Sequence, residues 1–364
     1  MNNDRKNTLC LDGLKGIGAF IIAFMWHYQH FAMGSGNYPL SKIFPISFNY
    51  GYLMVELFFM LSGFGMMMGY GDKILNHEIS FKDYIFKRIK KIYPIFLLTL
   101  LLTILFELIY LKLYGSLFIY QNFDIYHLVL NIFCMQNGVF GTDWSFNSPS
   151  WCISICLILY CIMYYIVYKS KNKNEVLYKY IFILCITFIL KEFGIINALL
   201  FRGIMCYSVG VILSFIYENR KSFNYKLIGY ISLFFLIGTY YILRKYFNYV
   251  GNIDMLMIIG IGPAIILTLL FNELSNVVLR IKPLLLLGSL SLSIYLFHFP
   301  IQCLIKIIDK VLKLHINYHS IYIWIIYVVS VLLVTFIYTK FIDKRYSNKV
   351  HSIISYKGKV DLEN

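Results

Sequence analysis

Charge is scarce in this chain. Asp, Glu, Lys and Arg make up 14% of its 364 residues, little more than half of the ~25% with which a soluble domain coats its surface. A soluble enzyme is thereby excluded. The eight cysteines follow no metal-ligand pattern: Cys152, Cys156 and Cys161 are close in sequence, yet no His or Cys stands where zinc spacing needs a partner. Neither a metal site nor a disulfide scaffold is expected. The opening residues mix charges and lack the small-residue cleavage site of a signal peptide. No internal repeat is visible, and no stretch is long enough for a soluble domain.

What the chain has in excess is apolar surface. Hydrophobic residues make up 59% and aromatics 18%, and the mean hydropathy is +0.69. They fall in blocks of about 20, the length that crosses a hydrocarbon core of about 30 Å. This predicts an all-α integral membrane protein with about ten transmembrane helices. The spans lie near 14–33, 50–70, 92–111, 150–168, 178–194, 198–217, 226–246, 253–272, 284–305 and 320–341. One membrane domain, residues 1–345, and a short tail, 346–364, account for the chain, and the lipid bilayer is its surroundings.

The net charge of +15 does not make it a nucleic-acid binder, because the 33 Lys and Arg are spread between the apolar blocks rather than gathered on one face. If the N-terminus is cytoplasmic, 24 of them fall on the cytoplasmic side and 9 outside. The positive-inside rule then puts both termini in the cytoplasm.

In such a protein the informative residues are the polar ones within spans, each costly in lipid unless paired or facing a cavity. Lys15 lies at the inner end of the first span, and His27 lies twelve residues on, about 18 Å deeper. Glu56 in the second span and His298 in the ninth fall at a similar depth, which suggests one shared polar cavity. Each also has a structural reading. A membrane histidine can pack against a neighbour's hydroxyl or carbonyl, and Glu56 can hold two helices in register. His30 reads as an anchor at the outer boundary. The basic run FKDYIFKRIKKIYP (81–94) serves equally as a positive-inside anchor or as a site for a phosphorylated ligand, with Arg88 and Lys91 one helical turn apart. Trp144 and Trp151 flank Ser148-Pro149-Ser150 in an outer loop, as interfacial aromatics or as rings for stacking on sugars.

Several stretches, in order, resemble acyltransferase family 3, membrane acyltransferases of bacterial type. LDGLKGIGAFIIAFMWHYQHF resembles that family's first helix, with a DGLRG-like start and a His one helix length later. YGYLMVELFFMLSGF looks like its acid-LFF-x-LSG-F segment, with the acid at Glu56 and the Ser-Gly at Ser62-Gly63. RIKKIYP resembles R-x-x-R-x-Y-P, and Asn147 to Ser154 resembles N-x-P-x-W-x-x-S. SLSIYLFHFPI is similar to SY-x-x-YL-x-H-x-P, carrying its His to His298, and Arg202 with Gly210 looks like an R-x7-G pair.

The resemblance implies O-acyl transfer, usually of acetyl from cytoplasmic acetyl-CoA to a hydroxyl of a surface or exported polysaccharide or glycolipid, at a bacterial plasma membrane. It implies a catalytic role for His27, as general base or transient acyl carrier, alongside Glu56 and His298. Lys15, Arg88 and Lys91 are then expected to meet the CoA phosphates, with Arg202 grouped among the donor-binding residues. Trp144, Ser150, Trp151 and Ser154 are expected on the acceptor.

The chain departs from the family pattern in three places. The first-helix arginine is Lys15 here, which keeps the charge but loses the bidentate fork. Eleven residues separate it from His27 where ten are usual, which leaves the two about 120° apart on a regular helix; either a one-residue π-bulge restores the face or Lys15 is not the counterpart of that arginine. Cys156 stands where many members carry Glu. The rival functions are a glycan or lipid transporter or flippase without chemistry, and a binding protein that keeps the fold without catalysis. A transporter usually shows repeat symmetry and broken helices in both halves, and the sequence shows neither.

Overall fold

The computed structural model describes residues 7–137, 143–245 and 253–341; the tail expected at 346–364 lies outside the described residues. Ten principal helices follow in chain order. They are α1 (Cys10–Ile21), α2 (Met54–Leu75), α3 (Phe81–Tyr114), α4 (Trp151–Tyr168), α5 (Lys173–Glu192), α6 (Ala198–Glu218), α7 (Tyr225–Lys245), α8 (Gly262–Phe271), α9 (Lys282–Leu312) and α10 (Ile321–Phe341). Irregular turns extend α1 to Ala32 and begin α8 at Ile253. The one β feature among the described residues is an isolated bridge between Asn122 and Ser145. This is a multi-pass helical membrane protein.

Nine of the helices among the described residues are long and apolar enough to cross a bilayer. The exception is α5, which has 20 residues but carries Lys173, Glu175, Lys179, Lys191 and Glu192 near its two ends. It packs along α6. The helices start where the sequence supplies side-chain acceptors for their unpaired N–H groups. Ser80 accepts from the Asp83 N–H at 3.1 Å, Asn172 from Glu175 at 3.0 Å and Asn197 from Leu200 at 2.9 Å. The 34-residue α3 is about 51 Å long at 1.5 Å per residue, well beyond a hydrocarbon core of about 30 Å. The basic run is therefore the first turns of α3 itself, and Pro94 lies within the helix.

Two close crossings organise the bundle. Where α2 meets α6, Gly63 lies against the Tyr207 carbonyl and Gly210 against the Met60 carbonyl. Where α1 meets α9, Gly288 lies against the Asp12 carbonyl, and Gly16 against the Gly288 N–H and the Leu284 carbonyl. A Cβ at any of these positions would force backbones apart, so small residues here set the helix spacing, as they do in other membrane bundles. The α1–α9 crossing brings together the helix that carries Lys15 and the one that carries Tyr295 and His298. At one end of the bundle Lys173 reaches Asp72 at 2.7 Å and Glu218 at 3.0 Å, tying α5 to α2 and α6.

Candidate active site

The site begins with a fault in α1. After Ile21 the backbone widens into a π turn, Ile22–Trp26, then tightens into a 3-10 segment, His27–Ala32. Such irregularity frees carbonyls that lipid cannot satisfy, so other groups must do so. Three side chains from distant helices fill that role. Tyr327 Oη donates to the Ala23 carbonyl at 3.0 Å, Trp324 Nε1 to Phe24 at 2.7 Å and Gln302 Nε2 to His27 at 2.8 Å. The fault is thereby held in one shape, with His27 at its end.

His27 meets His298 directly, Nδ1 to Nε2, at 2.8 Å, with the two rings nearly parallel. His298 is fully buried, and its Nδ1 lies 2.6 Å from the Tyr295 carbonyl one turn back. His30 lies on the other side of His27, ring centroids 4.9 Å apart, with Nδ1 3.1 Å from Gln302 Oε1. Three histidines and a glutamine thus share one cluster, expected from sequence only for His27 and His298. His30 read as a boundary anchor, although it sits one turn beyond His27. Gln302, four residues after His298, was not singled out at all.

The cluster opens on a cavity of about 510 Å³ rich in aromatic rings. His27 and His30 line it with Trp26, Tyr52, Tyr120, Trp144 and Trp151, so both tryptophans flanking the Ser-Pro-Ser loop reach the site. Burial pushes the Tyr120 phenol up from its ordinary value, keeping it a hydrogen-bond donor. Arg202 also lines this cavity, its guanidinium held between the rings of Tyr52 and Trp151.

A second cavity, of about 340 Å³, is lined by three basic side chains, Lys15, Arg88 and Lys91, together with Ser62, Cys156 and Tyr160 among others. The Arg88 guanidinium donates to Tyr70 Oη at 2.6 Å, and its Nε is buried with no partner. Lys15 is half-exposed and pairs with Asp12 at 3.1 Å. Tyr295 lines both cavities. Its hydroxyl donates to the Pro149 carbonyl and accepts from the Cys152 thiol at 3.3 Å.

The structure divides the remaining expected residues. Arg202 sits in the aromatic cavity, apart from Lys15, Arg88 and Lys91. Glu56 is fully buried and pairs with Arg202 rather than with a histidine, so it holds that guanidinium in place and does not line either cavity. Ser150 and Ser154 are enclosed as well. Ser154 Oγ donates to carbonyls of the 136–137 turn, at 2.6 Å to Gln136, and Ser150 Oγ accepts from Gln136 Nε2 at 3.2 Å. Both serines pin that turn to the start of α4, leaving Trp144 and Trp151 as the cavity-facing pair. Among the described residues no group of three His, Cys, Asp or Glu side chains has the arrangement to hold a metal ion.

Comparison with known proteins adds a family. The model of an acyltransferase domain matches residues 8–340, nearly the whole chain. The protein called "Protein 2 in picA locus" of Rhizobium radiobacter is 31% identical over 97 residues, 27% of this chain and 44% of that protein. The match therefore spans less than half the length of that relative. No solved structure matches the chain.

Proposed function

The chain belongs to the acyltransferase domain family, and on that premise we propose that it is a membrane O-acetyltransferase. It takes acetyl from acetyl-CoA in the basic cavity and delivers it to a hydroxyl of a surface or exported polysaccharide or glycolipid held in the aromatic cavity. The observation that carries this reading is the pair of cavities meeting at Tyr295. One has cations suited to phosphates, and the other has a histidine and flat rings suited to a sugar. The excess of Lys and Arg on one side of the spans supports a basic cavity open to the cytoplasm; both termini share that side if α5 crosses the bilayer along with the nine more apolar helices. The relative from a bacterium supports a bacterial plasma membrane.

The chemistry needs one base and one leaving group. In this reading His27 takes the proton of the acceptor hydroxyl as its oxygen attacks the thioester carbonyl. The C–S bond then breaks, CoA leaves as thiolate and recovers a proton from the imidazolium, and the ester remains on the glycan. Arg88, Lys91 and Lys15 bind the nucleotide end of the donor. Arg202, fixed by Glu56, binds on the acceptor side, a different role from the donor-binding one expected from sequence.

The test is CoA release from acetyl-CoA by detergent-purified protein, with crude cell-envelope glycan as acceptor. His27→Ala is expected to lose about 10²- to 10⁴-fold, the usual worth of a positioned base, while purifying as the wild type does. The reading is overturned if wild type releases no CoA with any acyl-CoA, in which case transport becomes the leading function. It is equally overturned if His27→Ala turns over normally.

A further inference from the structure

Hydrogen-bond direction in the histidine cluster is fixed by atoms that have no choice. The Tyr295 carbonyl only accepts, so the proton shared with His298 at 2.6 Å resides on His298 Nδ1. A neutral imidazole carries one N–H, so His298 Nε2 is a bare lone pair. It must therefore accept at the 2.8 Å contact with His27, whose Nδ1 donates. That leaves His27 Nε2 without a proton on a ring that lines the aromatic cavity. A doubly protonated His298 would be a fully buried cation facing carbonyls and an imidazole, and a buried charge without a counter-charge is disfavoured. The buried carboxylate of Glu56 is committed to Arg202.

Gln302 imposes the same choice on His30. Its amide nitrogen donates to the His27 carbonyl at 2.8 Å, which turns its oxygen to His30 Nδ1 at 3.1 Å. An amide oxygen accepts, so His30 Nδ1 carries the proton and His30 Nε2 is bare.

We propose that the Tyr295 carbonyl, His298 and Gln302 form a tautomer lock. It holds His27 and His30 in the Nδ1–H form, the minor one for free imidazole in water, so that both present a bare Nε2 on the side of the cavity. His298 is a positioning residue and not the base. When His27 accepts a proton on Nε2, its Nδ1–H bond to His298 persists and strengthens, because the donor is now charged. One proton moves, and His298 keeps its own. The chemical consequence rests on the acyl-transfer reading; the tautomers do not.

The test has two arms. In the first, full-length protein labelled with ¹⁵N-histidine is reconstituted in lipid and examined by solid-state NMR at neutral pH, with resonances assigned by their loss in His27→Ala, His30→Ala and His298→Gln. His27, His30 and His298 should each show a protonated Nδ1 and a bare Nε2. An Nε2–H or doubly protonated His298 overturns the lock. In the second arm, His298→Leu should lower kcat for CoA release by about 10²-fold or more, with KM for acetyl-CoA changed less than about threefold. His298→Gln, whose amide oxygen can still accept from His27, should recover at least tenfold of that loss. If the two variants fail equally although both fold, or if His298→Leu remains active, the positioning role is overturned. A wild type that releases no CoA would sink the acyl-transfer reading alone, since the wild-type spectrum still decides the tautomers.

Discussion

Removing the Arg88 guanidinium is expected to separate donor binding from chemistry. Arg88 is anchored by Tyr70 at 2.6 Å and lines the basic cavity with Lys15 and Lys91, its Nε still unpartnered. A phosphate about 4 Å from that charge gains about 4 kcal/mol at an effective dielectric of about 20. The cavity is open to water and two lysines remain, so about half of this, ~2 kcal/mol, is the expected loss in Arg88→Ala. That is about a 30-fold rise in KM for acetyl-CoA, with kcat within a few-fold. The control is S-acetyl-pantetheine, which keeps the thioester and arm but has no phosphate. Steady-state CoA or pantetheine release should show KM for the truncated donor unchanged by Arg88→Ala. Lys15→Ala, at a half-exposed cation already paired with Asp12, should cost only a few-fold. An equal KM rise for both donors would refute the reasoning, because Arg88 would then be acting on the fold or on the arm.

Glu56→Gln keeps a hydrogen-bonding side chain beside Arg202 but removes its charge from a fully buried site. A loss of about 2–3 kcal/mol is expected, read as a lower midpoint of thermal unfolding in detergent, and an unchanged midpoint would deny the pair its structural role. Gly288→Ala puts a Cβ into the Asp12 carbonyl at the α1–α9 crossing and should cost about 1–3 kcal/mol by overpacking. Gly69→Ala, in open space on α2, should be neutral or stabilising by up to about 1 kcal/mol, so equal midpoints for the two alanine variants would contradict the crossing. Trp151→Ala should weaken saturation by the glycan acceptor about tenfold, with KM for acetyl-CoA changed less than about twofold. Unchanged acceptor kinetics would remove the indole from the acceptor site.

The helices were legible because a bilayer imposes one rule on every span: about 20 apolar residues with their backbone bonds closed internally. The ten expected spans all coincide with helices. What periodicity missed was charge placement at the ends. The span expected at 178–194 is the helix Lys173–Glu192, whose terminal charges keep it out of the apolar set, and the basic run at 81–94 belongs to α3 instead of preceding it. Depth along a helix was countable, and the count put Glu56 level with the histidines. Azimuth was not: nothing in ELFFMLSG says which way the carboxylate turns, and it turns toward Arg202 on α6. Ser150 and Ser154 of SPSWCIS read as acceptor ligands through the resemblance to N-x-P-x-W-x-x-S. Their partners, the carbonyls and amide of the 136–137 turn, become visible only once the loop is folded back.

The twelve-residue step from Lys15 to His27 shows why the site could be half read. On a regular helix twelve steps of 100° leave the two side chains about 120° apart. One extra residue in a wide turn takes back about 100°, and the π turn Ile22–Trp26 lies between them. The arithmetic therefore allowed two readings, a fault in this interval or a Lys15 that is not the arginine's counterpart. It gave no sign of what stabilises the fault. The Ala23, Phe24 and His27 carbonyls are satisfied by Tyr327, Trp324 and Gln302, residues some 275 to 304 positions further along the chain, on α9 and α10. A membrane interior offers no water to bond such carbonyls, so the irregular end of α1 exists only once those two helices have docked. The orientation of His27 is in that sense a tertiary property. The nitrogen proposed as the base is aimed by α9, and the substitutions expected to disorder it include Gln302 and Trp324, neither of which belongs to the helix that carries the histidine.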